Sequence, residues 1–566
     1  MSTRRKTPKV AKKPISASLA DFKPAVFQRV AVPPARVHAP GYHWPLLLDD
    51  DDDDDDGHGA GEELLKWFEG IEEVREMPWR KRWVDPEGFE GDERGLGEVL
   101  ARRAYEVWVS EIMLQQTRVS TVIPYFKKWI SKWPTVQDLA EANPDEVLSV
   151  WKGLGYYSRA TRLHQGAQEM INKNHKYCPI PSSAEELQQF PGIGRYTAGA
   201  ISSIAFGEAE PVLDGNVARV LSRQLGLYVD VKDKKSTDFL WMAADSLVKH
   251  VSGFPETKKS AVPGQWNQAL MELGSTVCTP RPKCDECPIQ KTCRAYSEGD
   301  ALLRKEQVGV AVPDIEDACS LCEQLDTEDL LVVPEEDDDG AKVVKKRKRE
   351  TNPASKISHY FTAGTPSTSP NVDIGSDDEN AEISGTKKRK APQLNAGSKY
   401  RATYCSLFPK RMPKKKVAEE ECVVCIVESS DEDGNSKWVI EQRPAKGLLA
   451  SLWQFPQATI PASKSSASSR KTAAKIFVSK LDGGHIDMSN TKHIAELDPL
   501  VHVFSHLKLT MHVHLFKVCT DTDTAADAPH ASTVPPTRKW VATEAMDNET
   551  LSTGMRRCWT LANKAR

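Results

Sequence analysis

The spacing of hydrophobic positions divides the chain into a helical part and a strand-rich part. Residues 61–300 are dense in Trp, Leu and Val at helical spacing, and strand-like alternation is scarce there. This pattern predicts an all-α domain over residues 61–300. From Tyr400 onward, short alternating runs among polar loops predict a separate α+β domain over residues 399–566. These runs are Glu421–Glu428, Trp438–Gln442, His502–Phe504 and Thr510–Phe516.

Two further segments lack this periodicity. Residues 1–40 carry nine Lys or Arg against a single acid, Asp21, and an unbroken acidic run from Asp49 to Asp56 follows. Because blocks of like charge repel themselves, we expect a disordered N-terminal tail over residues 1–60. Residues 301–398 lose the aromatic periodicity and gain Ser, Pro, Asp and Lys, which predicts a disordered interdomain linker.

Charge and composition also bear on location. The linker clusters Lys345–Arg349 and Lys387–Lys390 are typical of nuclear-localisation signals, although a solvated charge run is the alternative. The basic, acid-poor start fits a mitochondrial transit peptide as well as a nuclear tail. The chain has no run of about 18 apolar residues and no secretory signal. We therefore expect a soluble intracellular monomer without a membrane partner, in the nucleus and, as the alternative, the mitochondrion.

The segment Pro191–Gly194 precedes an apolar run at helical spacing. Gly192 and Gly194 allow a tight turn whose N–H groups point outward, and a helix N-terminus after it adds positive partial charge. Such a turn holds a DNA phosphate without reading a base. Asp214 follows twenty residues after Gly194 and opens a second amphipathic stretch. The alternative is a glycine cap followed by an Asp that only starts a helix.

A candidate acid lies in an apolar helical segment. Val107, Glu111 and Leu114 share one helical face, so the Glu111 carboxyl lies between apolar neighbours. Burial raises the pKa of such a group and lets it donate a proton near neutral pH. A surface Glu on an amphipathic helix is the alternative. The polar residues that follow, Gln115, Gln116 and Thr117, are suited to contacts with base edges.

Four segments resemble the MutY-type adenine DNA glycosylases in their eukaryotic form, members of the helix-hairpin-helix-GPD superfamily: Trp108–Thr117, Gly153–Tyr157, Pro191–Thr197 and Leu213–Asn216. The resemblance is close over residues 76–300 and weaker in the C-terminal domain. It implies a helix-hairpin-helix glycosylase domain with an iron–sulfur loop. It also implies base-excision repair of double-stranded DNA in which adenine is mispaired with 8-oxoguanine or guanine.

The resemblance assigns catalytic roles. Glu111 would protonate N7 of the flipped adenine, and Asp214 would stabilise the oxocarbenium-like sugar, with Tyr196 and Asn216 orienting Asp214 and the sugar. Bifunctional glycosylase/lyases of the superfamily have a Schiff-base Lys at the position of Tyr196. A phenol cannot form that bond, so the resemblance implies a monofunctional hydrolase.

The resemblance also assigns DNA contacts. Gln116 and Tyr156 would be wedges at the lesion, and Thr117 and Leu154 would lie near 8-oxoguanine. Tyr156 could equally be a core aromatic, whereas the glycines around Leu154 favour an exposed turn. Arg80 would contact the flipped adenine, although an insertion over about residues 83–100 separates it from Glu111. The assigned DNA- and base-binding residues of this domain are Arg80, Gln115, Gln116, Thr117, Leu154, Tyr156, Gly192 and Gly194.

A cysteine cluster follows with the spacing Cys278-x5-Cys284-x2-Cys287-x5-Cys293. The spacing alone leaves zinc and an iron–sulfur cluster open. The resemblance implies a structural 4Fe-4S cluster whose loop brings Lys283 and Lys291 to DNA phosphates. The family's first interval is usually six residues, and here it is five.

The remaining motifs concern partners and recognition. Cys319-x2-Cys322 could join a His in a zinc site, as in the linkers of some animal relatives. Ile357–Phe361 resembles a sliding-clamp-binding box, with Ala354 in place of its leading Gln. Gly447–Pro456 resembles the family's Nudix-like domain, but no Glu-rich magnesium-binding helix follows Pro456. This domain should therefore recognise a ligand rather than hydrolyse a pyrophosphate. The resemblance implies that Phe504, Ser505 and His506 form a loop that checks for 8-oxoguanine, and an ordinary strand turn is the alternative.

Two other functions compete with this interpretation. A pyrimidine-lesion glycosylase/lyase is disfavoured by Tyr196 and Glu111. A catalytically silent DNA-binding or clamp-recruited scaffold is disfavoured by the pair Glu111 and Asp214.

Overall fold

The computed structural model describes residues 38–48, 59–173, 178–257, 259–304, 319–323, 325, 396–412, 417–430, 435–444, 447, 449, 452–461, 466–481, 488–504, 507–518 and 538–565. Both basic linker clusters, the clamp-box-like segment 357–361, Ser505 and His506 lie outside the described residues. Among the helices that the structure describes, none has the length and apolarity that a membrane crossing requires.

Residues 59–304 form the expected all-α domain. Its core contains the fully buried rings of Trp108, Trp129, Trp151 and Trp266. The helices are α1 (Ala60–Arg75), α2 (Glu93–Leu114), α3 (Val119–Lys132), α4 (Val136–Glu141), α5 (Pro144–Trp151), α6 (Ser158–Asn172), α7 (Ala184–Leu187), α8 (Arg195–Phe206), α9 (Gly215–Gln224), α10 (Lys234–Val251), α11 (Val262–Thr276) and α12 (Arg294–Arg304).

The long helix α2 crosses the centre of this domain and begins within the insertion at residues 83–100. Asp92 caps it, because its carboxylate accepts a 2.8 Å hydrogen bond from the Gly95 N–H. From Ala104 to Met113 every side chain of α2 is buried, so Glu111 lies inside the protein. The end of the insertion is therefore part of the helix that carries the candidate acid.

Residues 38–48 were expected in an unfolded tail, and for them that prediction is wrong. They form 3-10 turns at Pro40–His43 and Leu46–Leu48 and pack on the helical domain. The Tyr42 hydroxyl donates a 2.7 Å hydrogen bond to Glu298 Oε1, and Leu47 joins the main core. The charged residues on both sides led to the prediction of disorder, although the segment between them is aromatic and leucine-rich and can bury apolar surface.

Helix α13 (Ala396–Cys405) lies at the expected boundary between linker and C-terminal domain, but it packs on the helical domain. It contacts α12 and the turn Cys284–Glu286. Tyr404 donates a 2.5 Å hydrogen bond to Glu298 Oε2, and Arg401 Nε donates one of 2.6 Å to Asp300 Oδ1. The placement of residues 396–398 in a linker and of 399–405 in the C-terminal domain is therefore wrong.

The C-terminal residues 417–565 form the expected α+β domain. Its mixed sheet has the order β3-β2-β1-β7-β5, while β4 pairs with β1, β6 with β7 and β8 with β2. The β1–β7 pair is parallel and the other pairs are antiparallel. The elements are β1 (Ala418–Ser430), β2 (Ser436–Gln442), β3 (Trp453–Gln454), β4 (Gln457–Ile460), α14 (Ala467–Val478), β5 (Thr491–Glu496), β6 (Leu500–Val503), β7 (Leu507–Val518), β8 (Arg538–Ala542) and α15 (Thr553–Lys564).

Both faces of this sheet are covered. Alternate residues of β1 point to opposite faces, so Cys425 packs in the core beneath α14 and Cys422 in the core beneath α15. Both cysteines are buried in apolar surroundings, as their strand-like sequence context predicts.

Candidate active site

A cavity of about 790 Å³ opens between α2, α8, α9 and α11. That volume is in the range of sites that enclose a small ligand. It brings together residues that are far apart in the sequence. The residues with an expected role in the site that line this cavity are Arg80, Glu111, Gln115, Gln116, Thr117, Tyr196, Asp214 and Asn216.

Glu111 is the buried acid of this cavity, with 7% of its surface exposed. The pKa of its carboxyl is raised to about 7, because burial and the nearby Asp214 raise it by more than a hydrogen bond from Tyr196 and the charge of Arg80 lower it. The Tyr196 hydroxyl donates this 2.5 Å bond to Glu111 Oε2. Tyr196 was expected to orient Asp214, but in the structure its hydroxyl bonds to Glu111 instead. Glu111 can therefore hold a proton near neutral pH.

Asp214 is both a helix cap and a residue of the cavity. Its Oδ1 accepts hydrogen bonds from the Asn216 N–H at 2.9 Å and the Val217 N–H at 2.7 Å. Asn216 Nδ2 donates a 2.9 Å bond to Oδ2, so Asn216 orients Asp214. Burial raises the pKa of Asp214, and the N–H donors and Arg219 oppose that shift. Asp214 thus starts a helix, as one interpretation predicts, and also lies in the cavity, where the other interpretation requires it to be.

Arg80 faces the same cavity and is held by Glu272, a residue that sequence reasoning missed. Arg80 Nη2 donates a 2.7 Å hydrogen bond to Glu272 Oε2, and Arg75 pairs with the other carboxylate oxygen. In the described part of the chain, buried Arg80 Nη1 has no hydrogen-bond partner. A buried donor without a partner is costly, which favours a ligand here. In the sequence, Glu272 could have been noticed as the single acidic residue of the apolar α11 segment.

The two expected wedges share an unusual backbone conformation. Gln116 has φ +56° and Tyr156 has φ +47°, a left-handed conformation that costs side-chain-bearing residues energy. Tyr156 is 53% exposed, which excludes the core-aromatic alternative. Gln116 is exposed as well. Each strained turn thus presents a polar or aromatic side chain to the surface.

Arg159 connects these two turns and was also missed. Its Nη1 donates hydrogen bonds to the carbonyls of Ile112 and Gln115, each at 2.7 Å, and its Nη2 donates one of 3.2 Å to the Gly155 carbonyl. Its guanidinium lies 5.4 Å from the centre of the Tyr156 ring. The signal was an Arg two positions after the Gly153–Tyr157 motif, at the start of α6.

The turn around Leu154 has the expected backbone but a different side-chain position. Gly153 and Gly155 have positive φ, so the chain reverses there. Leu154 itself is only 6% exposed and joins the main core, whereas Gly153 and Tyr156 are exposed, so the turn lies at the surface as expected but its leucine does not. The reversal directs the leucine inward, and Thr117 is the member of the expected pair that lines the cavity.

The hairpin between α7 and α8 has the expected turn. Gly192 has φ +83°, and a Cβ there would come within 2.9 Å of Arg162 Cβ. Gly194 caps α8, and a Cβ there would meet nothing within 4 Å. The turn therefore requires glycine at 192 and leaves open space at 194, where α8 presents its N-terminal N–H groups.

A further cavity is lined by the four cysteines that were expected to bind a metal, Cys278, Cys284, Cys287 and Cys293. The short first interval does not separate Cys278 from the other three. Arg223 Nη1 lies 3.1 Å from Cys278 Sγ and can donate a hydrogen bond to it. Four thiols around one cavity are a donor set suited to iron or zinc. The side chains of Lys283 and Lys291 are exposed beside it.

A second group of possible metal ligands joins the N-terminal segment to the linker. The ligand atoms of His38, His43, Cys319 and Cys322 all lie within 4.8 Å of one another. His43 Nδ1 contacts the Leu225 carbonyl at 2.8 Å, which directs Nε2 toward the thiols. Cys319 and Cys322 were expected to join an unspecified His. Both histidines were missed because they lie in the segment interpreted as a tail, although the His38-x4-His43 spacing was visible.

Of the expected lesion-recognition loop, the structure describes Phe504. The Phe504 N–H donates a 2.7 Å hydrogen bond to the Leu507 carbonyl, closing the connection between β6 and β7. The Phe504 ring lies 4.5 Å from the His502 ring, centre to centre. The loop therefore begins at the tip of a β-hairpin.

Known proteins resemble this chain in both domains. A model described as HhH-GPD superfamily base excision DNA repair protein matches residues 109–242, and a NUDIX domain model matches residues 423–561. The adenine DNA glycosylase of Rattus norvegicus is 35% identical over 497 residues, which cover 87% of this chain and 76% of the relative. The adenine DNA glycosylase of Homo sapiens is 35% identical over 498 residues, 87% of this chain and 72% of the relative. The structure of a thermostable thymine-DNA glycosylase is 25% identical, with a TM-score of 0.32 over 41% of this chain and 93% of that chain.

Proposed function

The chain belongs to the adenine DNA glycosylases, hydrolytic DNA N-glycosylases of base excision repair, and we propose that its substrate is double-stranded DNA with adenine mispaired with 8-oxoguanine or guanine. One observation carries the proposal. Glu111 and Asp214 share one cavity, and the pKa of Glu111 is raised to about 7. Adenine leaves only after its ring is protonated, and Glu111 is an acid that can supply this proton near neutral pH.

The first chemical role falls to Glu111. A purine held in the cavity receives a proton from Glu111 at N7, which converts adenine into a good leaving group. Tyr196 holds the carboxyl through its 2.5 Å hydrogen bond and so fixes the direction of proton transfer. Arg80, anchored by Glu272, offers its unpaired Nη1 to the base.

The second chemical role falls to Asp214. Cleavage of the N-glycosidic bond builds positive charge on the deoxyribose, which an ionised carboxylate stabilises before water attacks. Asn216 and two backbone N–H groups hold Asp214 for this purpose. In the described part of the chain the cavity lining includes no lysine, which supports a monofunctional hydrolase.

The substrate base must leave the duplex before this chemistry. Flipping costs a few kcal/mol, which contacts at the vacated position offset. Gln116 and Tyr156, held on strained turns that Arg159 ties together, are the side chains for that position. Thr117 contacts the opposing base beside them, and the α7–α8 hairpin binds the backbone phosphate.

We also propose that Cys278, Cys284, Cys287 and Cys293 hold a 4Fe-4S cluster. The four thiols surround one cavity and suit such a group. The cluster would supply a rigid cross-link for the loop that exposes Lys283 and Lys291 to DNA. Arg219 and Arg223 of α9 donate hydrogen bonds to the Cys278 carbonyl, so the loop is joined to the helix that Asp214 caps.

For His38, His43, Cys319 and Cys322 we propose a structural zinc ion. Two imidazoles and two thiols with ligand atoms within 4.8 Å of one another fit tetrahedral Zn²⁺. Burial lowers the pKa of His43, which favours the neutral imidazole that binds metal. The ion would fix both distant segments beside the Leu225–Tyr228 turn, at the C-terminal end of α9.

The other parts of the proposal rest on sequence. The basic linker clusters support a nuclear location with the mitochondrion as the alternative, and the segment 357–361 supports contact with a sliding clamp. Phe504, Ser505 and His506 would check for 8-oxoguanine at the β6–β7 hairpin. All but Phe504 lie outside the described residues.

The decisive experiment is single-turnover excision on a duplex with adenine opposite 8-oxoguanine, developed with and without alkali. Strand breaks only after alkali are expected of a monofunctional adenine glycosylase. Breaks without alkali would reveal a lyase nucleophile and contradict the hydrolytic mechanism. Tight binding without excision would support the scaffold alternative instead.

A further inference from the structure

A fifth cysteine reaches the cavity of the four cluster cysteines. Cys405, the last residue of α13, lines the same cavity and is 1% exposed. It belongs to one buried apolar group with Cys284 and Cys293. Within that group it packs with buried Cys293 and with partly buried Cys284. In sequence Cys405 stands 112 residues after Cys293, beyond the linker, so its spacing gave no sign of this contact.

The placement of Cys405 is supported along the whole of α13. Ser398 pairs with Asp285, inside the loop between Cys284 and Cys287, and Tyr404 pairs with Glu298 on α12. Immediately after the helix, the Phe408 carbonyl accepts a 3.1 Å hydrogen bond from Arg223 Nε. The same Arg223 contacts Cys278 Sγ. Contacts on both sides of the cysteine therefore hold it over the cluster loop.

We propose that Cys405 is a positioning residue of the 4Fe-4S cluster, a thiol that donates an S–H hydrogen bond to the Cys293 ligand sulfur, with Cys284 as its alternative acceptor. This inference rests on the proposed cluster. Four other cysteines already supply the ligand set, and Cys405 lies against two of them within a buried, apolar wall.

This arrangement has two consequences. A hydrogen bond to a ligand sulfur withdraws electron density from the cluster and raises its reduction potential. The helix that carries the donor also excludes water from that side, which protects the cluster from oxidative loss. Because α13 directly precedes the C-terminal domain, the segment that leads into that domain would also cover the cluster.

The test compares Cys405→Ala, Cys405→Ser and Tyr404→Phe with the wild-type full-length protein. Iron and sulfide per chain, the reduction potential of DNA-bound protein and the rate of absorbance loss near 400 nm in air are measured. Cys405→Ala should keep its iron but show a more negative potential and several-fold faster bleaching. Cys405→Ser retains a donor and should lie between Cys405→Ala and wild type. Tyr404→Phe loosens the same helix without touching the thiols and should keep the wild-type potential.

The outcomes separate the two proposals. An unchanged potential in Cys405→Ala would overturn the hydrogen-bond role, and so would the same shift in Tyr404→Phe, since loosening of α13 would then explain it. Loss of iron from Cys405→Ala would overturn it as well by making Cys405 a ligand. Wild-type protein without iron and sulfide would refute the cluster itself and this inference with it.

Discussion

The Tyr196 hydroxyl donates a 2.5 Å hydrogen bond to Glu111 Oε2 and so joins α8 to α2 inside the candidate active-site cavity. Burial keeps this phenol protonated by raising its pKa, so it acts as a donor throughout the neutral range. The bond lowers the pKa of Glu111 while burial raises it by more. The same hydrogen bond thus holds the Glu111 carboxyl in place and limits the rise of its pKa.

The variant Glu111→Gln should lose excision and retain DNA binding. An amide has nearly the same shape but has no acidic proton to give to N7, so we expect the single-turnover rate to fall at least about 100-fold. Glu106→Gln is the matched control on α2, because Glu106 is buried and pairs with Lys81 away from the cavity lining. Wild-type excision by Glu111→Gln would contradict its role as the acid.

Excision should weaken as the pH rises through about 7. Glu111 must be protonated to act, and its pKa is raised to about 7, so above that value the rate should fall about tenfold per pH unit. At low pH the rate should fall again, because Asp214 must be ionised and burial raises its pKa as well. A single-turnover pH profile measures both limbs. A rate that stays constant from pH 6 to about pH 9 would contradict the assignment of Glu111.

Tyr196→Phe should shift the alkaline limb to higher pH. Removing the hydroxyl deletes a hydrogen bond that lowers the pKa of Glu111, so the acid keeps its proton longer. The maximal rate should still fall by about tenfold, because the carboxyl loses its positioning contact. A general loss of structure would lower the rate without moving the limb, so the profile distinguishes the two effects.

Gly192→Ala should weaken DNA binding regardless of base sequence. A side chain at φ +83° is strained, and its Cβ would approach Arg162 Cβ to 2.9 Å, so the phosphate-binding turn must shift. Stability should drop by roughly 1–3 kcal/mol. Gly194→Ala is the comparison, because its Cβ meets open space, so it should lower the melting temperature less, through a weaker helix cap alone. Equal destabilisation by both variants would argue against this account of the turn.

Zinc removal should loosen the N-terminal segment while the cluster iron stays. His43→Gln and Cys322→Ser each delete one of the four proposed zinc ligands and should lower zinc per chain and the melting temperature. Metal analysis with hydrogen exchange of residues 38–48 gives the readout. The control is Cys178→Ser, which removes a thiol that contacts the Ile180 carbonyl outside both metal sites. Full zinc content in both ligand variants would refute the site.

Local periodicity in the sequence predicted the helical domain, the strand-rich domain and the buried faces of particular segments. The spacing of Val107, Glu111 and Leu114 placed an acid on an apolar face, and the structure buries Glu111. The alternation near Cys422 and Cys425 predicted a strand, and β1 forms there. These features depend on local periodicity, which residues a few positions apart express directly.

Which buried faces pack against each other became known only from the tertiary structure. Tyr196 contacts Glu111, and Arg80 contacts Glu272 across 192 positions of sequence. His38 and His43 join Cys319 and Cys322, and Cys405 reaches the cysteine loop. Periodicity shows that a side chain points inward but not which distant segment lies opposite it. Those partners follow from how the helices pack, because packing brings together side chains whose positions in the sequence are unrelated.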